Sequence, residues 1–236
     1  MINIQHVGVI LDGNRRFAKQ LMKRPWEGHK YGLLKSREVL TWACEAGIKH
    51  ITAYVLSLEN IKTRPKRELK MILKYIGKEA DNILEDAGHV VHHFHVKVRF
   101  IGRINVLPKE LQKKIDLVER KTERYTKHVL NVAVAYGGQQ EIVDATKKIL
   151  MKGLKGVIRP SDMNEKIMRA HLWTNGQPEP DLIIRTGGER RLSNFLPFQS
   201  AYSELFFLDK KWPELTKEDF NNVLDEYVKR QRRFGA

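Results

Sequence analysis

Residues 181–194 read Asp181-Leu182-Ile183-Ile184-Arg185-Thr186-Gly187-Gly188-Glu189-Arg190-Arg191-Leu192-Ser193-Asn194. A short apolar run of β type ends at Arg185 and passes at once into two adjacent glycines, a carboxylate and two more arginines. Glycine lets the backbone turn with positive φ and approach a ligand closely, and each guanidinium offers a planar fork of donors matched to phosphate-type oxygens. A strand that empties into such a loop predicts an anion site at the carboxyl edge of a sheet.

Working outward, the same alternation fills the chain. β-branched runs predict strands at Val7–Leu11, Ile51–Leu56, Val96–Ile101, Leu130–Ala135, Leu182–Arg185 and Glu204–Leu208. Between them lie helical patterns at Tyr31–Glu45, Lys109–Lys127, Gln139–Met151, Ser161–Ala170 and Lys217–Arg232. A longer helix carries Leu69, Ile72, Leu73, Ile76, Ala80, Ile83, Leu84 and Ala87 at three- and four-residue spacing. Strands alternating with helices predict an α/β fold: one domain over residues 1–236, with a central six-stranded, mostly parallel sheet flanked by helices. No repeat or Pro/Gly/Ser-rich linker divides it.

The chain holds 236 residues with 43 Lys+Arg against 28 Asp+Glu, a net charge of +15 that asks for anionic company. One cysteine, Cys44, allows neither an internal disulfide nor a multi-cysteine metal site; its apolar surroundings predict a core position in a reducing, cytoplasmic protein. No apolar run reaches the roughly 18–20 residues of a membrane span. The basic end of the last helix, Lys229, Arg230, Arg232 and Arg233, reads either as a solvated helix terminus or as a loose membrane-surface contact.

In open parallel sheets, ligands sit beyond the carboxyl ends of the strands. The polar, glycine-bearing clusters fall there: Asp12-Gly13-Asn14-Arg15-Arg16 after the first strand, Ser57-Leu58-Glu59-Asn60 after the second, Tyr136-Gly137-Gly138 after the fourth, and the arginine loop after the fifth. Asp12 suits Mg²⁺ beside a phosphate, because Mg²⁺ takes one or two carboxylates and completes its octahedron with water and substrate oxygens; a helix N-cap is the alternative. His29, after Gly28, reads as a phosphate donor, a proton shuttle or a structural imidazole. His89, His92, His93 and His95 have no companion ligand set and read as a solvated loop. Neither G-x-x-x-x-G-K-[ST] nor G-x-G-x-x-G occurs, and no nucleophile elbow appears. What remains is Mg²⁺-assisted chemistry on a diphosphate beside apolar helices.

The ordered segments HVGVILDGNRRFAK (6–19), EGHKYG (27–32), SLEN (57–60), YGG (136–138), DLIIRTGGERRLSNFLPFQSAYSELFF (181–207) and RRFG (232–235) resemble the cis-prenyltransferases, the undecaprenyl or dehydrodolichyl diphosphate synthase family. The resemblance implies a homodimeric enzyme that adds isopentenyl diphosphate to an allylic prenyl diphosphate with cis double bonds, building a polyprenyl diphosphate in an apolar channel between sheet and helices. It implies that Asp12 holds Mg²⁺ and the allylic diphosphate, with Gly13, Asn14, Arg15, Arg16, Phe17 and Arg24 around it. It implies that Arg185, Glu189, Arg191 and Ser193 serve isopentenyl diphosphate, with Glu204 helping to place Mg²⁺. Arg233 and Gly235 are implied to reach the partner subunit's site, and His29, Ser57, Asn60 and the departing diphosphate are candidate proton acceptors, with Glu59 and Arg64 nearby. The chain departs from common bacterial members at Arg15, Phe17 and Pro25, and in Ile61-Lys62-Thr63-Arg64. A nucleic-acid binder would show aromatics interleaved with its basic stripe, whereas the aromatics here lie in apolar segments; a non-catalytic partner subunit would lack Asp12, Asn14 and Arg16.

Overall fold

The structure, a computed structural model, describes residues 4–230. Its elements, in chain order, are β1 (His6–Ile10), α1 (Asn14–Gln20), α2 (Gly28–Glu45), β2 (His50–Ser57), α3 (Leu58–Thr63), α4 (Lys66–Glu85), α5 (Val90–His93), β3 (Val96–Ile101), α6 (Lys109–Thr122), β4 (His128–Tyr136), α7 (Gly138–Leu154), α8 (Glu165–His171), β5 (Leu182–Arg185), β6 (Glu204–Phe207) and α9 (Lys217–Lys229). The six strands form one sheet in the order β3-β4-β2-β1-β5-β6. Every pairing is parallel, where the sequence predicted a mostly parallel sheet.

Side chains alternate across the strands. Val7, Val9, Ile51, Ala53, Val96, Val98, Leu182 and Ile184 enter one core cluster, while Ile10, Tyr54, Ile101, Ala133 and Ile183 enter another. Burial on both faces is why these strands read as continuous apolar runs. Cys44 is buried in the first cluster, as its context predicted. Three central strands are tied by a polar bridge: His6 hydrogen-bonds Pro178 O through Nδ1 and Thr52 Oγ1 through Nε2, both at 2.8 Å, and Asn131 Nδ2 donates to Thr52 Oγ1 at 3.0 Å.

β3 is an edge strand, but α6 seals its outward amides: Val98 N–H donates to Thr122 Oγ1 at 3.1 Å and Phe100 N–H to a Glu119 carboxylate oxygen at 2.7 Å. Edges capped in this way do not recruit another strand. Here Ser161–Ala170 is not one helix: a 3₁₀ turn at Pro160–Asp162 precedes α8, whose N-cap Asn164 accepts from Ile167 N–H. The histidine run is not a solvated loop either. His89 is buried, caps α5 and meets Glu79, while His92 bridges Tyr125 Oη and Ile83 O; His93 and His95 are exposed. No group of His, Cys, Asp or Glu able to hold a metal as a cluster of three occurs among the described residues. No helix there is long and apolar enough to cross a membrane.

Between the sheet, α2 and α4 lies a cavity of about 170 Å³, walled by residues such as Ile51, Val55, Ile72, Ile76, Val98 and Val132. On α4, Glu68, Ile72, Ile76, Ala80 and Ile83 form the buried face, shifted slightly from the stripe read in the sequence.

Candidate functional site

The chain leaves β1 toward β2 on one side and leaves β5 toward β6 on the other, so the gap between β1 and β5 is the topological switch point of the sheet. Asp12 and Arg185 meet there. Arg185 Nη2 donates to Asp12 Oδ2 at 2.8 Å, joining residues 173 positions apart. Asp12 Oδ1 accepts Gly13 N–H at 2.6 Å and faces Arg16 Nη2 at 3.3 Å. The arginine side chain is 5% exposed and the carboxylate 30%, so the charge is anchored from within and open toward solvent.

Local backbone chemistry produces this closeness. Gly13 turns with φ 101°, and a Cβ there would stand 2.7 Å from Lys211 Cβ. Gly187 has φ 87°, and a Cβ would lie 2.6 Å from Arg16 Nη2 and 3.2 Å from the Asp12 carbonyl carbon. Only glycine admits both the left-handed turn and the approach. Thr186 Oγ1 and Trp212 N–H both donate to Asp12 O at 2.8 Å, locking the two loops together. Past the glycines, Ser193, Asn194 and Leu196 all adopt positive φ, which side-chain-bearing residues rarely hold outside functional loops.

Arg185 Nη1 donates to Ser193 Oγ at 2.8 Å and to Arg191 O, drawing the arginine loop back over its own strand. Glu189 pairs with Arg191 at 2.5 Å, both substantially exposed. Asn194 Nδ2 donates to Glu59 Oε1 at 2.8 Å, which brings the loop after β2 to the same rim. Arg15 and Arg16 are exposed on α1, with side-chain exposures of 57% and 49%. Asn14 Nδ2 donates to Leu11 O, and its buried Oδ1 has no hydrogen-bond partner. Phe17 packs edge-on against Tyr31.

Where the rim meets the cavity stand Asn14, His29 and Arg64. His29 Nε2 lies 3.2 Å from Glu68 Oε1, Arg64 Nη1 donates to the same oxygen, and Arg15 Nε lies 3.8 Å from Glu68 Oε2. Burial pushes the His29 imidazole below its usual range, against the pull of Glu68; hydrogen bonding to His29, together with Arg64 and Arg15, holds the Glu68 carboxyl down despite burial.

Four further expected site residues have the following partners. Ser57 accepts Asn60 N–H at 3.0 Å and so caps α3; Asn60 supplies that amide from the first turn of the helix. Arg24 stands over the Trp26 ring, 5.6 Å from its centroid, and its backbone N–H is bound by Glu27. Glu204 pairs in register with Leu182, while Phe207 pairs with Arg185; at about 3.3 Å per residue, Glu204 starts roughly 10 Å toward the opposite edge of the sheet. It binds Arg230 at 2.6 Å, and one chain does not bring it to Asp12. Arg233 and Gly235 lie outside the described residues.

Glu68 is the residue that sequence reasoning missed. Its signal was present: it continues the apolar face of Ile72, Ile76 and Ala80 by one turn, so it had to be buried, and Arg64 lies four residues earlier to meet it.

A family model described as "Putative undecaprenyl diphosphate synthase" matches residues 10–235. A tritrans,polycis-undecaprenyl-diphosphate synthase (geranylgeranyl-diphosphate specific) of Methanocaldococcus jannaschii is 47% identical over 98% of this chain and 82% of its own length. An isoprenyl transferase of Thermus thermophilus is 44% identical, covering 98% and 88%. The crystal structure of lavandulyl diphosphate synthase from Lavandula x intermedia, in complex with dimethylallyl diphosphate, superposes with a TM-score of 0.93 at 34% identity over 100% of this chain and 99% of that one. With its parallel sheet, its Asp12–Arg185 rim and this similarity along nearly its whole length, the chain belongs to the undecaprenyl diphosphate synthase family of cis-prenyltransferases.

Proposed function

We propose that this chain is a Mg²⁺-dependent enzyme that condenses isopentenyl diphosphate onto an allylic prenyl diphosphate, with geranylgeranyl diphosphate as the starter and a long polyprenyl diphosphate, precursor of a glycosyl carrier lipid, as product. The observation that carries this reading is adjacency: Leu11 and Asn14, on either side of Asp12 in the chain, line a cavity with apolar walls together with His29 and Arg64, while Asp12 itself pairs with Arg185. A substrate with a diphosphate head and a hydrocarbon tail matches both halves. The starter and product length are taken from the archaeal relatives' names.

Arg15 and Arg16, exposed beside Asp12, would meet the allylic diphosphate, and Arg185, Arg191 and Ser193 the isopentenyl diphosphate, exchanging their present partners for its oxygens. The allylic carbon–oxygen bond breaks and diphosphate leaves with the electron pair. The isopentenyl double bond then forms the new carbon–carbon bond, and a proton leaves the isopentenyl unit for a base. Cationic side chains at the rim lower the barrier by meeting charge as it develops on the leaving oxygen. His29 stands at the cavity mouth, held by Glu68, where it can take or pass that proton.

The donor set fits Mg²⁺: Asp12 is a partly exposed carboxylate that three donors leave with lone-pair capacity, and one such oxygen ligand with water and substrate oxygens suffices. Bound there, Mg²⁺ would stabilise negative charge on the diphosphate. The assembly we propose is a homodimer in which Arg233 and Gly235 complete the partner's site.

A second reading, a short- or medium-chain product, draws on the cavity's size. About 170 Å³ is less than the roughly 300–1,000 Å³ of common ligand pockets. Incubation with Mg²⁺, labelled isopentenyl diphosphate and starters of different length, followed by sizing of products, separates the two. Absence of Mg²⁺-dependent incorporation with every starter would overturn both.

A further inference from the structure

α4 is apolar on one face and cationic on the other. Ile72, Tyr75, Ile76, Ala80 and Ile83 line the cavity. On the outward side Lys66, Arg67, Lys70, Lys74 and Lys78 are all exposed. The four lysines recur at every fourth residue, so they form one stripe along about 18 Å of helix. Among the described residues none of the five cations pairs with a carboxylate. The acidic groups of α4 are engaged elsewhere or stand at its far end: Glu68 is buried at the cavity mouth, Glu79 is bound by Arg37, Asp81 by Lys114, and Glu85 lies in the last turn.

Such a stripe works against the helix twice. Like charges four residues apart repel one another. Lys66, Arg67 and Lys70 also crowd the first two turns, where the helix dipole already places positive charge. An anionic surface laid along the stripe relieves both penalties.

An apolar tip adjoins the start of the stripe. The Trp26 ring is covered by two guanidiniums, that of Arg67 at 4.8 Å from its centroid and that of Arg24 at 5.6 Å, which fastens the segment after α1 to α4. This segment carries Leu21 and Met22, 42% and 95% exposed, between the exposed Lys19 and Lys23. Met22 has φ 52°, a conformation that side-chain-bearing residues seldom adopt. Lysines flanking an apolar tip, continued by a cationic stripe, match a bilayer surface: headgroup phosphates meet the charge and the acyl boundary takes the tip. A nucleic acid would use the charge and leave Met22 in water. Steering of a soluble diphosphate calls for charge around the rim, whereas the stripe runs away from the mouth alongside the cavity.

We propose that the outer face of α4, together with the Leu21–Met22 tip, is a docking surface for an anionic lipid bilayer. The cavity then lies one helix diameter, about 10 Å, from the membrane. The inference goes beyond the catalytic reading, because binding requires no turnover. The proposed product gives docking a use: a polyprenyl chain leaving the cavity passes into lipid rather than into water.

The test is sedimentation of the full chain, without substrate, with vesicles of phosphatidylcholine alone or mixed with phosphatidylglycerol. Wild type should bind the mixed vesicles and not the neutral ones, and binding should fall steeply as salt rises. Each lysine at such a surface is worth about fivefold in partition, so Lys66→Gln/Lys70→Gln/Lys74→Gln should bind about 100-fold more weakly. Its thermal unfolding should be unchanged or raised, since repulsion within the helix is relieved. Met22→Asn, which tolerates the same φ, should weaken binding about tenfold by removing the apolar tip. A control with the same loss of charge on α7, Lys147→Gln/Lys148→Gln/Lys152→Gln, should stay within about threefold of wild type. Absence of binding to the mixed vesicles at low salt overturns the proposal, as does equal loss in the α4 and α7 variants. Tighter binding of wild type to duplex RNA than to mixed vesicles of the same total charge overturns the choice of lipid. Failure to incorporate isopentenyl diphosphate refutes the proposed function alone, because the vesicle measurement contains no substrate.

Discussion

Two charge clamps at the cavity, one at its mouth around Glu68 and a deep one around Glu79, are built from the same kinds of residue but sit in different surroundings. Each joins α2 to α4 through a glutamate that binds a histidine and an arginine. At the mouth, Glu68 is 3% exposed, but its arginines reach toward an open rim, and a further charge pair, Asp12 with Arg185, lies beyond. Deeper along the helices, Glu79 is 17% exposed and is hydrogen-bonded by Arg37, His89 and Asn82. The same functional groups therefore face an opening at Glu68 and are packed between helices at Glu79. The general lesson is that a buried ion pair is not a functional signal until its surroundings are known.

That comparison can be broken most sharply at Asp12. Asp12→Asn, which keeps a partner for Arg185 where alanine would strand a buried cation, should lower kcat/KM roughly 10³-fold, with thermal unfolding little changed; near-normal Mg²⁺-dependent turnover would remove Asp12 from the reaction. The deep clamp should show itself in stability. Burial alone would raise the Glu79 carboxyl, but hydrogen bonds from His89 and Arg37 outweigh it and hold it down to about 2. A depressed carboxyl stabilises the fold above its unfolded value near 4.5 and loses that contribution as pH falls toward 2. Urea unfolding of wild type against Glu79→Gln should thus differ by on the order of 3 kcal/mol at pH 7, with the gap closing through that window; a gap independent of pH would show that the charge is not what matters.

Glu68 tests the mouth clamp. Glu68→Gln retains a hydrogen-bonding group for His29 and should cost about tenfold in kcat, while Glu68→Ala should cost closer to 100-fold. Both should move the limb of the pH–rate profile that reports His29. A loss confined to thermal stability, with an unmoved profile, would assign the mouth clamp to the fold alone. The smallest effect belongs to Ser57→Ala, which should cost about 1 kcal/mol of stability through the lost α3 cap and leave kcat within about threefold. A much larger kinetic loss would return Ser57 to the chemistry.

Much of the fold was legible because strands buried on both faces are unbroken apolar runs: Val96–Ile101 and Leu182–Arg185 match their predicted bounds residue for residue. The rim was legible for a related reason, since its glycines and arginines are consecutive in the chain and follow strand ends. The histidine run misled because His89 owes its burial to Glu79 and Arg37, on two other helices. The distance of Glu204 from Asp12 was not legible, because its position along β6 depends on register with β5.

By itself, then, the sequence determined the α/β alternation, the switch-point motifs around Asp12 and Arg185, and the family, all of which are written in local patterns. Only the tertiary structure decided which carboxylate meets which basic side chain: Asp12 with Arg185, Glu68 with His29 and Arg64, Glu79 with Arg37 and His89. The physical reason is that local propensity and hydrophobic period act over a few residues. The cost of burying a charge is settled instead by partners as far as 173 positions away, which the chain specifies only by folding.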